Sequence, residues 1–221
     1  MTVLTKMSIY SPESIKYAIY QLQNYIIKNN FKGDIIIDAF INIKTNKCKF
    51  ICQYFNSHFV FISYDSFQQN HKILSQQIRK YVSNLIKCNS LICIGGESYL
   101  YALTNNVKNI YHITNSLSIF YDCEFNKQFY NVKISNNLVN YNLCYINSNI
   151  KNAIINLSSL NTNLLNIIND LNLNKIIIIN CHHDDFWNKI KILSKFKIIS
   201  RKKFICYYLK YFITVTILKH L

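Results

Sequence analysis

In Leu91-Ile92-Cys93-Ile94-Gly95-Gly96-Glu97-Ser98 an unbroken apolar run meets two adjacent glycines and then the start of a helical pattern over 98–103. Such a run suits a strand covered on both faces, and paired glycines suit a tight turn that feeds a strand into a helix. The missing side chains at Gly95 and Gly96 would also let backbone come close to a nucleotide-like cofactor. A plain turn and a cofactor turn both fit these residues.

Downstream, strand and helix patterns alternate. Residues 109–113, 131–135 and 152–157 read as strands, and a helical pattern over 163–171 carries Leu164, Leu165, Ile167, Ile168 and Leu171. Residues 175–180 contain four consecutive isoleucines, the pattern of a strand buried on both faces. A helix over 184–194 and two strands near 196–206 and 211–218 complete the series, the last two close enough in sequence to pair antiparallel. This alternation predicts an α/β sheet with helices packed on it.

Upstream the pattern is different. Ser11-Pro12-Glu13 is a helix start, a capping hydroxyl followed by proline at the first helical position, and Gly33 is a stop signal just beyond the expected end near residue 29. Residues 34–64 hold three β-branched and aromatic runs separated by turn-like Thr45-Asn46-Lys47 and Asn56-Ser57, a small β-meander. Residues 66–87 then carry Ile73, Ile78, Val82, Leu85 and Ile86 on one helical face. The expected organisation is an N-terminal helix and small β region over 1–65 and a principal domain over 66–221.

Composition narrows the partners. The net charge is +15, yet of 25 basic residues only Arg79 and Arg201 are arginine, and the chain is rich in Ile, Asn and Tyr with one proline and three glycines. All of these trends follow AT-rich codons, so part of the basicity reflects coding bias and part is free to attract phosphate. Eight cysteines are scattered without a C-x-x-C pair and read as buried free thiols of a reducing, cytoplasmic compartment. No apolar run approaches the ~20 residues of a membrane span, and residues 1–10 lack a signal-peptide core, so no membrane partner is expected.

A parallel strand–helix series that ends in an antiparallel hairpin resembles the Rossmann-like class of S-adenosylmethionine-dependent methyltransferases, over roughly residues 66–221. The resemblance implies S-adenosylmethionine as cofactor, with Gly95, Gly96, Glu97 and Ser98 forming its turn. It also implies that Thr114 or Asn115 stands where the family ends its second strand with a ribose-binding carboxylate. The chain departs from that pattern in having Glu97 where a further glycine is usual, and no acid in 91–94.

A narrower resemblance is to RNA uracil-5 methyltransferases. Phe67-Gln68-Gln69-Asn70 is similar to a cluster that those enzymes carry before the helix preceding the first strand, which makes Gln69 a cofactor contact. Ile179-Asn180-Cys181-His182-His183-Asp184-Asp185 is similar to the segment that holds their catalytic cysteine. Carried over, Cys181 is a nucleophile that adds to C6 of a uracil ring, with His182 or His183 favouring the thiolate. The family's fourth strand ends in an aspartate and prolines, whereas Asn156-Leu157-Ser158-Ser159 stands here, and no Asp or Glu follows Asp185 to serve as the final base. The same run contains zinc-ligand residue types, but neighbours on a strand alternate in direction, and Asp184 or Asp185 reads as a helix cap, so no metal is expected.

Lys189, Lys191, Lys195, Lys197, Arg201, Lys202 and Lys203 fall within fifteen residues beside Trp187 and Phe204, with no acid among them. Lysines bind phosphate and aromatics stack bases, which makes this the candidate nucleic-acid surface; a solvated helix face and hairpin fits equally. The sequence therefore points to a methyltransferase-like protein acting on RNA. Its rivals are a catalytically inactive subunit or scaffold with a protein partner, and a basic nucleic-acid-binding protein.

Overall fold

A computed structural model of the protein describes residues 7–9, 36–37, 39–41, 50–55, 58–63, 66, 72–142, 146, 149–181, 185–206 and 211–221. The helix expected after Ser11, the Phe67-Gln68-Gln69-Asn70 cluster, and His182, His183 and Asp184 lie outside the described residues.

The alternation downstream of residue 72 builds a sheet of seven strands. In chain order these are β6 (Ser90–Ile94), β7 (Asn109–Thr114), β8 (Lys133–Leu138), β9 (Asn152–Asn156), β10 (Lys175–Cys181), β11 (Phe196–Cys206) and β12 (Tyr211–His220). Their spatial order is β11-β12-β10-β9-β6-β7-β8. Strands β8, β7, β6, β9 and β10 are parallel, while β12 lies antiparallel between β10 and β11. The expected terminal hairpin is present, and its second strand is the one inserted beside β10. The fold is mixed α/β, as the sequence predicts.

Period-two alternation divides the four isoleucines of β10 between two layers. Ile177 and Ile179 join a core with Ile78 and Val82 of α1 (Lys72–Leu85) and Tyr99 and Leu103 of α2 (Ser98–Leu103). Ile176 and Ile178 face the opposite core with Leu164 and Ile168 of α4 (Thr162–Asp170) and Phe186 and Ile190 of α5 (Phe186–Ile190). Helix α5 is shorter than the 184–194 expected, because residues 191–195 turn to feed β11.

Helix α3 (Leu117–Asn126) is absent from the sequence reading. Its buried face is mixed: Ile119, Cys123 and Phe125 are buried beside Asp122 and Asn126, while Leu117 and Tyr121 are exposed. The inward polar residues serve the N-terminal strands β1 (Met7–Ile9), β2 (Ile36–Ile37), β3 (Ala39–Ile41), β4 (Phe50–Phe55) and β5 (His58–Ser63) at one point. β2, β4 and β5 form a three-stranded sheet with β5 at its edge, and β1 pairs with β3. Asn126 accepts from Phe61 N at 2.8 Å and donates to Phe61 O at 2.6 Å, and Asp122 accepts from Ser63 N at 3.1 Å. Side chains of α3 thus satisfy backbone groups that another strand would otherwise pair. Val60 and Ile62 of β5 are buried in the same core as α1 and α2.

Candidate cofactor crevice and basic groove

From β6 the chain runs outward through β7 to β8 and then returns to put β9 on the other side of β6. Open α/β sheets bind ligands outside the carboxyl ends of the strands where the order reverses in this way. Gly95 and Gly96 occupy that point. Their φ values of +66° and +42° lie in the left-handed region that glycine adopts without penalty. Gly95 N donates to Ile113 O at 2.8 Å, which carries the β6–β7 ladder into the turn, and Ser98 N donates to Gly95 O at 3.2 Å.

The space left by the missing side chains is taken by the chain itself. A Cβ on Gly95 would meet the Leu157 side chain and lie 2.8 Å from Asn156 O; one on Gly96 would lie 2.8 Å from Asn156 O and 3.0 Å from its carboxamide. The end of β9 therefore packs directly on the turn. Asn156 Nδ2, Asn180 Oδ1 and Ser98 Oγ are buried without a hydrogen-bond partner among the described residues.

Beside the turn lies an open groove of about 540 Å³, lined by Asn115, Tyr141, Asn142, residues 157–163 and Lys189. Asn115 is exposed just after β7, whereas Thr114 is buried and its Oγ1 accepts from Ser116 N at 3.1 Å. Asn142 Oδ1 accepts from Asn161 Nδ2 at 3.1 Å and from Asn163 Nδ2 at 3.3 Å, and Asn161 Oδ1 caps α4 by accepting from Leu164 N at 2.9 Å. No carboxylate is among the described residues lining the groove. Its polar character comes from amides and hydroxyls.

Glu97 faces away from this groove chemistry. Its Oε1 pairs with Arg79 Nη2 at 2.9 Å and its Oε2 accepts from Arg79 Nε at 3.3 Å, with both side chains buried. Burial opposes the Arg79 charge, but Glu97, with smaller contributions from Tyr101 and Tyr99, holds the guanidinium pKa above its usual value. The pair fastens α1 to the turn. Tyr99 and Tyr101 pack around it, their phenols pushed well up mainly by burial.

Cys181 is half-buried at the end of β10, and register places it opposite Ile213 of β12. Since Ile179 pairs with Asn156, period two puts Cys181 and Asn156 on the same sheet face, the one covered by α1 and α2. Asn180, one residue earlier, points to the other layer. Asp185 stands at the N-cap position of α5 but makes no side-chain cap bond; it pairs instead with Lys189 Nζ at 2.8 Å, which corrects the capping role expected of it. Among the described residues, no three His, Cys, Asp or Glu side chains gather as metal ligands do.

The basic segment is divided by the fold. Lys189 pairs with Asp185, and Lys195 pairs with Asp170 at 3.1 Å. Lys191 and Lys197 are exposed. On β11, Arg201 lies 4.3 Å over the Trp187 ring, on the α5 side. Lys202 lies 4.5 Å over Tyr81 and 5.2 Å over Phe204, on the α1 side, and Lys203 lies 4.7 Å over Phe212. A second groove of about 500 Å³ opens there between α1 and β11, lined by Gln77, Lys80, Tyr81 and Asn84 from α1 and by residues 202–205. The α1 residues were invisible to a reading of the basic run, since they stand more than a hundred residues away in sequence.

No family model matches the sequence, and no curated protein matches it. Solved structures do. The Pyrococcus abyssi tRNA (uracil-54, C5)-methyltransferase, in complex with S-adenosyl-L-homocysteine, is similar with a TM-score of 0.63 at 14% identity, over 86% of this chain and 52% of that one. Methanocaldococcus jannaschii Trm5, in complex with adenosine, gives 0.57 at 14% identity over 98% and 69% of the two chains. M. jannaschii TYW2, in complex with AdoMet, gives 0.55 at 12% identity over 86% and 94%. The chain thus spans about half the length of the first of these.

Proposed function

Because the chain has the Rossmann-like fold of methyltransferases, we propose that it binds S-adenosylmethionine beside the Gly95–Gly96 turn and acts in methyl transfer to RNA. The observation that carries this reading is the amide-lined groove at the carboxyl ends of β7 and β9, where the strand order reverses. Asparagine amides both donate and accept, so Asn115, Asn142 and Asn161 suit a ligand rich in hydroxyls and ring nitrogens. Asn115 Oδ1 would accept from a ribose hydroxyl in place of the usual carboxylate, and the unpartnered Asn156 Nδ2 offers one further donor at the turn. When bound, the cofactor supplies an electrophilic methyl group on sulfur. Cys181, on the same face as Asn156, is the residue assigned to nucleophilic addition, and the lysines of the C-terminal segment are assigned to RNA phosphates.

A second reading is an inactive subunit of this fold that supports a protein partner. It is favoured by the lack of any Asp or Glu after Asp185 and by the commitment of Glu97 to Arg79. Calorimetric titration with S-adenosylmethionine separates the cases. The expected outcome is saturable heat, weakened roughly tenfold or more by Gly95→Arg, whose side chain has no room against Asn156 and Leu157. No heat at millimolar ligand removes the cofactor reading. An RNA containing 5-fluorouracil should then trap a covalent adduct that Cys181→Ala abolishes; heat without an adduct or methyl transfer favours the inactive subunit.

A further inference from the structure

We infer that the groove between α1 and β11 holds a single strand of RNA, one base stacked on Tyr81 and the flanking phosphates held by Lys80 and Lys202. The choice of RNA rests on the function proposed above; the groove itself stands on separate observations. The first is its build. Tyr81 is half-buried, buried Phe204 packs edge-on to it at 5.6 Å, and Lys80 and Lys202 rim the pair, while Lys203 turns to the other sheet face over Phe212. An aromatic face bordered by cations is the arrangement that binds single strands, bases on the ring and backbone on the charge.

The second observation is charge. No carboxylate lines the groove or comes within ion-pair distance of Lys80 or Lys202 among the described residues, in contrast to Lys189 and Lys195. Protection of an exposed edge accounts for lysines on β11, since charges there discourage pairing with another sheet. It does not account for Lys80, which comes from a helix. Lys202 above Tyr81 makes a weak, exposed cation–π contact. A base that takes its place keeps the ring face and frees the ammonium for phosphate.

The third observation is position. Phe204 pairs with Ile213, and Ile213 with Cys181, so the groove floor and the cysteine share one register row and one face. Two strand steps separate them, about 10 Å. A strand seated in the groove therefore runs toward the carboxyl edge of the sheet where Cys181 and Asn156 stand.

Fluorescence anisotropy with a labelled uridine-rich RNA of twelve nucleotides, across a salt series, tests this. The double variant Lys80→Ala/Lys202→Ala should weaken binding and lower the slope of log K against log salt by about 1.4, the value for two lost phosphate contacts on a single strand. Tyr81→Ala should weaken binding roughly 5- to 100-fold while Tyr81→Phe retains it. The charge-matched control is Lys108→Ala/Lys133→Ala, at the opposite end of the sheet, and it should change little. Equal loss in that control, no effect of Tyr81→Ala, or no RNA binding by the unaltered protein overturns the assignment. So does a DNA strand of the same sequence binding as tightly, or an acidic peptide occupying the groove in preference to RNA. Thermal unfolding checks that each variant is folded, and S-adenosylmethionine titration of the lysine variant separates the two ideas. RNA binding without cofactor heat keeps the groove and removes methyl transfer; cofactor heat without RNA binding does the reverse.

Discussion

Glu97 illustrates how one residue can be well placed in sequence and engaged elsewhere in space. It follows two glycines at the strand-order reversal, yet its carboxylate is only 2% exposed and clasped by Arg79. Two opposite charges removed from water hold together only while both are present; deleting one strands the other. Glu97→Gln keeps the shape and leaves Arg79 buried without its counter-charge, so urea unfolding should show a loss of about 3–5 kcal/mol. The double variant Glu97→Gln/Arg79→Met should recover much of that loss. A single-variant cost under about 1 kcal/mol would mean that the pair does not fasten α1 to the turn. The glycines carry a similar lesson. Their need for a left-handed backbone was legible locally, whereas what fills the space beside them, Asn156 and Leu157, arrives from sixty residues downstream and is a product of the fold.

At the scale of elements, legibility follows hydrophobic pattern. The isoleucine run of β10 and the apolar stretch of β6 declare themselves because burial on both faces leaves no polar position. The antiparallel hairpin was legible as a pair, but its insertion with β12 next to β10 depends on which strand finds the free edge, a long-range choice. Helix α3 was hidden because its inward face mixes Asp122 and Asn126, which pair the backbone of β5, with Ile119, Cys123 and Phe125, while Leu117 and Tyr121 point outward. That function sets a prediction. Asn126→Ala removes the partner of both Phe61 N and Phe61 O, two buried groups that each cost about 1–3 kcal/mol when unpaired, so a total of about 2–6 kcal/mol is expected. Hydrogen exchange gives the specific readout, the Phe61 amide losing protection ahead of amides in β9 and β10. Uniform loss across the sheet would show that α3 does not act on β5 locally. The basic groove was half legible in the same sense: its β11 lysines stood out as a run, and Tyr81 and Lys80 did not, since only packing of α1 on β11 brings them there.

For the whole molecule, the question is where the folding unit begins. The change of pattern near residue 65 separates a meander from an alternating α/β series, and a boundary there suits the sequence. The core is less divided. Val60, Phe61 and Ile62 are each no more than 2% exposed, and Val60 and Ile62 belong to the cluster that includes Ile78, Tyr99 and Ile177. Burying three such side chains contributes about 1.5–3 kcal/mol each, so β5 accounts for roughly 5–9 kcal/mol of burial. A domain of this kind is stable by only about 5–15 kcal/mol in all. A fragment starting at Ser66 also leaves Asp122 and Asn126 inside the protein without the backbone groups that they bond. It is expected to lose its cooperative thermal transition and bind a hydrophobic dye, whereas a fragment starting at His58 keeps β5 as an edge strand against α3 and should unfold cooperatively. Circular dichroism melts of the two fragments decide it. If the shorter one melts as sharply as the full chain, β5 is an ornament on an independent α/β domain; if it does not, the meander supplies part of the core on which α2, and with it the Gly95–Gly96 turn, is held.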